Sequence, residues 1–171
     1  RLVRLRVTLD ADSTVVPLPA GTAPPTFVYA NADDYAYALV LPDERSVHWL
    51  EENISSVKDS FLRAMLWGAL WDLVREARLD PARFSALALR ELASEPDEQI
   101  VAGVLGRVGR AIVAYLPAER RDSAQATVEK LLHRGWADPD RPYGIRKSYL
   151  DTYIRVAASP TALARLDATL D

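Results

Sequence analysis

The chain has 171 residues, 49% of them hydrophobic and 26% charged. That suffices for one large domain or two small ones with an apolar core, and it is not the composition of a disordered segment. Twenty-one Lys and Arg against 24 Asp and Glu leave a net charge of −3, so no basic excess favours nucleic acid or an anionic membrane.

Cysteine is absent, which excludes a disulfide framework, a thiolate zinc site and a cysteine nucleophile, and suits a reducing cytoplasm. No apolar run approaches the roughly 20 residues of a membrane-spanning helix, and the start, Arg1-Leu2-Val3-Arg4, lacks the apolar core of a secretion signal. The expectation is a cytoplasmic chain with neither a membrane nor a nucleic-acid partner. It begins without Met and in what reads as mid-strand, which suggests a piece of a longer polypeptide.

Residues 2 to 9 alternate, with Val3, Leu5, Val7 and Leu9 on one side and Arg4, Arg6 and Thr8 on the other, the period of a half-buried strand. Further strands are predicted at 14–16, 26–30 and 35–41, broken by the loop of Pro17, Pro19, Gly21, Pro24 and Pro25. Unpaired edges there favour self-association through residues 1–42.

After Pro42 the period becomes helical. Asp43 caps a helix through about Asn53, and Val57 to Arg78 forms a longer one in which Phe61, Leu62, Met65, Leu66, Ala69, Leu70, Leu73 and Val74 leave few sides polar, so this helix is expected at the buried centre. Asp80-Pro81 opens a helix to about Ser94, and Pro96-Asp97 another to Leu116. Pro117-Ala118 begins one that stops near Gly135; 143–158 and 159–170 supply the last two. The class is mainly α: a short antiparallel β segment at 1–42, then an array of helical hairpins at 43–171, with a compact bundle equally compatible with the lengths.

Chemistry-bearing patterns are sparse. His48 and His133 are far apart; Glu129 and His133 share a helix face but read as a solvated pair. Gly103, Gly106 and Gly109 follow no strand and sit inside an apolar stripe, so they read as sites of close helix approach rather than a phosphate loop. The pairs Asp33-Asp34 and Glu51-Glu52 point different ways and read as solvated. No Gly-x-Ser-x-Gly elbow is present. Of Trp49, Trp67, Trp71 and Trp136, the pair Trp67 and Trp71 is expected in packing; Trp136, in a turn beside Arg141, either anchors the loop or contacts a partner.

The stretch from Phe27 to Asp43, with Asn31, Tyr35, Tyr37 and Asp43 in place, resembles the junction before the C-terminal domain in the M1 family of zinc aminopeptidases, the aminopeptidase N-like enzymes. Residues 61–80 resemble the second helix of that domain in the actinobacterial branch. The resemblance implies that residues 1–42 end a small β-sandwich domain and that 43–171 begin a helical domain similar to that of the endoplasmic reticulum aminopeptidases. Such a domain arches over the catalytic domain and controls which peptides reach the zinc.

The zinc motif His-Glu-x-x-His and the Gly-x-Met-Glu-Asn motif of that family are missing here. No catalytic, cofactor-binding or metal residue is therefore assigned, and the piece is expected to hydrolyse nothing alone. Zinc is expected in the parent catalytic domain; the partners implied are that domain and peptide substrates. The alternative from the residues is a stand-alone HEAT-like scaffold that binds a protein partner.

Overall fold

Aspartates at the ends of extended segments set where the helices begin. In the computed structural model, which describes residues 3–170, Asp43 accepts from the Ser46 amide at 2.7 Å and starts α1 (Glu44–Asn53). Asp59 accepts from Leu62 at 3.1 Å and starts α2 (Ser60–Arg75). Asp80 accepts from Ala82 at 2.8 Å ahead of α3 (Pro81–Glu91), and Asp97 from Gln99 and Ile100 ahead of α4 (Glu98–Arg110). Each carboxylate satisfies amides that the first helical turn leaves free. Prolines precede α5 (Ala118–Ala137) and α6 (Tyr143–Val156), and α7 (Pro160–Leu170) begins with one.

Three predicted helices end differently, the third of them at Glu91 rather than near Ser94. The second stops at Arg75 rather than Arg78 because Ala77 takes φ 55°, letting the Arg78 amide bond the Leu73 carbonyl at 2.8 Å and Ala77 that of Val74 at 3.1 Å. Glycine usually occupies this left-handed position. Alanine there carries about 1–2 kcal/mol of strain. Ala77→Gly is expected to raise stability by about 0.5–1 kcal/mol once the freer unfolded chain is counted, read as a higher urea midpoint at unchanged slope. The fourth predicted helix leaves α geometry at Arg110; a π turn, Ala111–Tyr115, closes with Leu116 N–H to the Ala111 carbonyl at 3.0 Å and carries Ile112 and Leu116 into the core.

The strands predicted at 2–9, 14–16, 26–30 and 35–41 do not form: among the described residues there is none. Residue 2 lies outside the described range. Extended backbone becomes a strand only when a ladder pairs it, and the backbone bonds within 3–42 are turns, Thr22 to Pro19 and Asp34 to Asn31. The apolar side of the alternation is accordingly exposed, Val3 by 55% and Leu9 by 74%.

Part of 27–42 does dock on the helices, through Phe27, Tyr29, Ala32 and Leu41, while Tyr35, Tyr37 and Leu39 stay exposed. Phe27 stacks on Trp49 at 4.5 Å, the Val28 amide donates to Ser46 Oγ at 3.0 Å, and the Tyr29 hydroxyl reaches the Met65 carbonyl at 3.4 Å. Burial, with Asp34 and Asp72 nearby, pushes the Tyr29 hydroxyl up to about 12. Asn31, at φ 60°, holds Ala36 through both its amide nitrogen (2.7 Å to the carbonyl) and its oxygen (2.9 Å from the N–H).

The core runs between α2, α3, α4 and α6, with α6 lying on both α4 and α5. Trp67 and Trp71 are buried, as expected of packing residues, and both meet the Phe84 ring. Phe61, expected in the centre, is instead half exposed, at 52%. Buried in its stead is Arg63. Its guanidinium grips Glu95 at 2.8 and 2.7 Å and donates to the Val57 carbonyl at 2.6 Å, while Glu95 Oε1 also accepts from the Asp97 amide at 3.1 Å. One ion pair thus fixes α2 to the α3–α4 loop.

Candidate functional site: a groove between α2 and α4

Because α2 turns Phe61 outward and α4 carries glycine at 103, a groove of about 320 Å³ opens between the two helices. Its apolar lining is Phe61, Ala64, Trp67, Ile100 and Val104; its polar lining is Ser60, Asp97, Gln99 and Arg107. Asp97 marks the start of α4 and Arg107 its last turn, so opposite charges stand at the two ends. Burial holds Arg107 below the usual arginine range, an effect that Asp72 partly offsets. Asp72 itself is bonded to Arg75 at 3.1 Å.

Gly103 and Gly106 meet nothing within 4 Å of where a Cβ would stand, so the expected close approach fails at both. It holds at Gly109, against Thr152, Arg155 and Val156 of α6. The tightest glycine is one that the sequence marked only as a helix stop: at Gly135, inside α5, a Cβ would overlap the Tyr149 ring.

Glu129 and His133 do not form a solvated pair. Glu129 is buried, and its carboxylate accepts from the amides of Ala158 (2.8 Å) and Ser159 (3.1 Å) and from Ser159 Oγ (2.5 Å), where α7 begins. Gln125 adds a bond to the Val156 carbonyl, so α5 clamps the α6–α7 junction. Burial pushes the Glu129 carboxyl up, but the Ser159 hydroxyl, the two amides and Gln125 outweigh it and hold it below the ordinary carboxylate range.

A depressed folded value means that stability from Glu129 is present above the unfolded value and is lost as pH falls through the folded one. Glu129→Gln keeps the volume but points an NH₂ group at donors; a loss of about 1–3 kcal/mol is expected at neutral pH. The variant should also lose less stability than the parent chain on acidification, as read by urea titrations at neutral and acid pH.

The remaining candidates do not come together in one place. His133 packs edge-on to Trp136 at 5.3 Å, its imidazole held below its ordinary value by burial and by Arg165. Trp136 sits in the last turn of α5, half-buried and 6.4 Å from the Tyr153 ring. It is not the exposed turn residue that the sequence allowed; it anchors α5 to α6. His48 is exposed beside Glu52 at 3.5 Å, and Glu51 is held by Arg83 at 2.5 and 2.7 Å. Asp33 pairs with Arg4 at 2.6 Å, while Asp34 takes the Asn31 amide at 3.3 Å.

Among the described residues no three His, Cys, Asp or Glu side chains gather as a metal would require, so they do not fit the zinc that the resemblance implies for the whole enzyme. No helix of the described residues is long and apolar enough to cross a membrane.

The chain is mainly helical, and its extended start meets the first two helices through Phe27, Val28 and Tyr29. Residues 27–170 match the ERAP1-like C-terminal domain, and the chain belongs to that family. Both stretches that carried the M1 resemblance, 27–43 and 61–80, lie inside the match. The chain is similar to an aminopeptidase N of Streptomyces lividans, with 29% identity over 170 residues, 98% of this chain. It spans 20% of that relative's length.

Proposed function

We propose that the chain is the accessory C-terminal region of a zinc-dependent aminopeptidase N-like metallopeptidase. In this reading residues 43–171 belong to a helical-hairpin domain that encloses the peptide cavity and controls substrate access. Bond cleavage and zinc belong to a catalytic domain elsewhere in the same cytoplasmic polypeptide. The observation that carries it is the end-to-end similarity to one fifth of an aminopeptidase N. The groove between α2 and α4, with charge at both ends and an apolar floor, supports a role in contacting peptides. The open reading frame upstream of Arg1 is expected to encode His-Glu-x-x-His with a distant Glu; a frame without them contradicts the reading.

Residues 1–26, which lie before the family match, belong in the same reading to a neighbouring domain of the longer polypeptide, which accounts for the exposed Val3, Leu5 and Leu9. Taken without that domain, the chain is expected to self-associate through this segment. Sedimentation velocity should show species heavier than one chain that grow with concentration and disappear when residues 1–26 are removed. A monomer at every concentration contradicts the assignment.

A further inference from the structure

Helix α7 is held by polar bonds at its start more than by apolar burial. Ala162 is its one buried side chain among the described residues, and Leu163 is 47% exposed. Ser159 Oγ accepts from the Ala162 amide at 3.1 Å and donates to Glu129 of α5, whose carboxylate also takes the amides of Ala158 and Ser159. The cap of α7 is thus completed by another helix. From α6 the Tyr153 hydroxyl donates to the Ala162 carbonyl at 3.4 Å.

His133 stands one turn beyond Glu129 on the same side of α5. Its half-buried ring meets those of Trp136 at 5.3 Å and of Tyr153, on α6, at 6.2 Å. Arg165 faces it from α7, three residues after Ala162 and so on the docked side of that helix. On α5 itself Lys130 precedes the imidazole by three residues, and Glu129, by four, is spent on the α7 cap. A proton on His133 sets a second cation against Arg165 between aromatic rings. A proton on Glu129 takes an acceptor away from three donors.

We propose that α7 is an acid-released latch: docked while Glu129 is a carboxylate and His133 is uncharged, it lifts from α5 and α6 as a unit when they take protons, and the other helices stay folded. Burial and Arg165 hold the docked imidazole below its ordinary 6.5. The bonds from Ser159 and Ala158 hold the carboxyl below its ordinary 4.5, against the opposite pull of burial. Docking therefore favours both unprotonated forms, and the stability they lend is present above the ordinary values and lost as pH falls through the depressed ones. His133 acts first; Glu129 follows in stronger acid. A helix with so little buried surface opens at less cost than the core, which allows it to leave alone. The latch stands on these residues whether or not the chain serves a peptidase.

Hydrogen exchange of the 171-residue chain, read by mass spectrometry at about pH 7.5 and about pH 5.5 and corrected for the intrinsic pH dependence of exchange, tests this. Protection of the α7 amides is expected to fall at least about threefold between the two, while that of α4 holds. His133→Phe keeps a ring and removes the titration, so α7 should stay protected at both pH values. Glu129→Gln should lower α7 protection at least about fivefold at the higher pH, again without change in α4. The α4 amides report in the same sample whether each variant is folded. An α7 without protection at the higher pH, a fall shared by α4, no fall, a fall that persists in His133→Phe, or full α7 protection in Glu129→Gln would each overturn the proposal.

Discussion

Arg63→Ala is expected to destabilise the chain by about 3–5 kcal/mol, because it strands a carboxylate in the interior. The side chains of Arg63 and Glu95 are only 8% and 5% exposed, so solvent does little to screen the pair. Loss of the guanidinium also frees the Val57 carbonyl, which it holds at 2.6 Å, and slackens the start of α2 against the α3–α4 loop. The double substitution Arg63→Met with Glu95→Leu should recover a large part of the loss, since removing both charges removes the uncompensated one. Urea unfolding of the three variants reads both effects. A single variant within 1 kcal/mol of the parent chain would mean that the pair is solvated.

Gly135→Ala is expected to cost about 2 kcal/mol net. Alanine favours the helix by about 1 kcal/mol. Overpacking against a ring that cannot retreat costs about 3 kcal/mol. Tyr149 cannot retreat because Arg141 lies over its ring at 5.0 Å and the side chain is 2% exposed. Gly106→Ala supplies the contrast: with nothing near its Cβ it should stabilise the chain by up to about 1 kcal/mol. Trimming the ring, Tyr149→Leu, should relieve the clash in the Gly135→Ala background, and a double-mutant cycle should show coupling above about 1 kcal/mol. Additive effects would place the two residues apart.

The contrast among glycines shows what was legible. Asp43, Asp80-Pro81 and Asp97 announce helix starts because capping is a bond to an amide two or three residues away, and each of those starts lies where the sequence puts it. Gly103, Gly106 and Gly109 look alike in sequence, and only the partner helix decides which one meets a neighbour. Arg63 and Glu95 stand 32 residues apart, so nothing local links them. A lone arginine between Leu62 and Leu66 on the most apolar helix was the available signal for a buried ion pair.

The β segment failed for the same reason in reverse. Its period was visible, but a strand needs a partner, and the described residues supply none. Glu129 appeared solvated because its donors come from the α6–α7 junction, 29 and 30 residues on. The groove is not legible in the sequence: the apolar pattern puts Phe61 in the core, and Arg107, between Leu105 and Val108, gives no hint of a cavity.

Hydrolysis of aminoacyl anilides by this chain, assayed beside the polypeptide that contains it, tests the central claim most directly. The expected result is no turnover by the 171-residue chain with or without added zinc, and turnover by the longer polypeptide that a chelator abolishes. Metal-dependent turnover by the chain itself, lost when Glu129 or His133 is replaced, would contradict it.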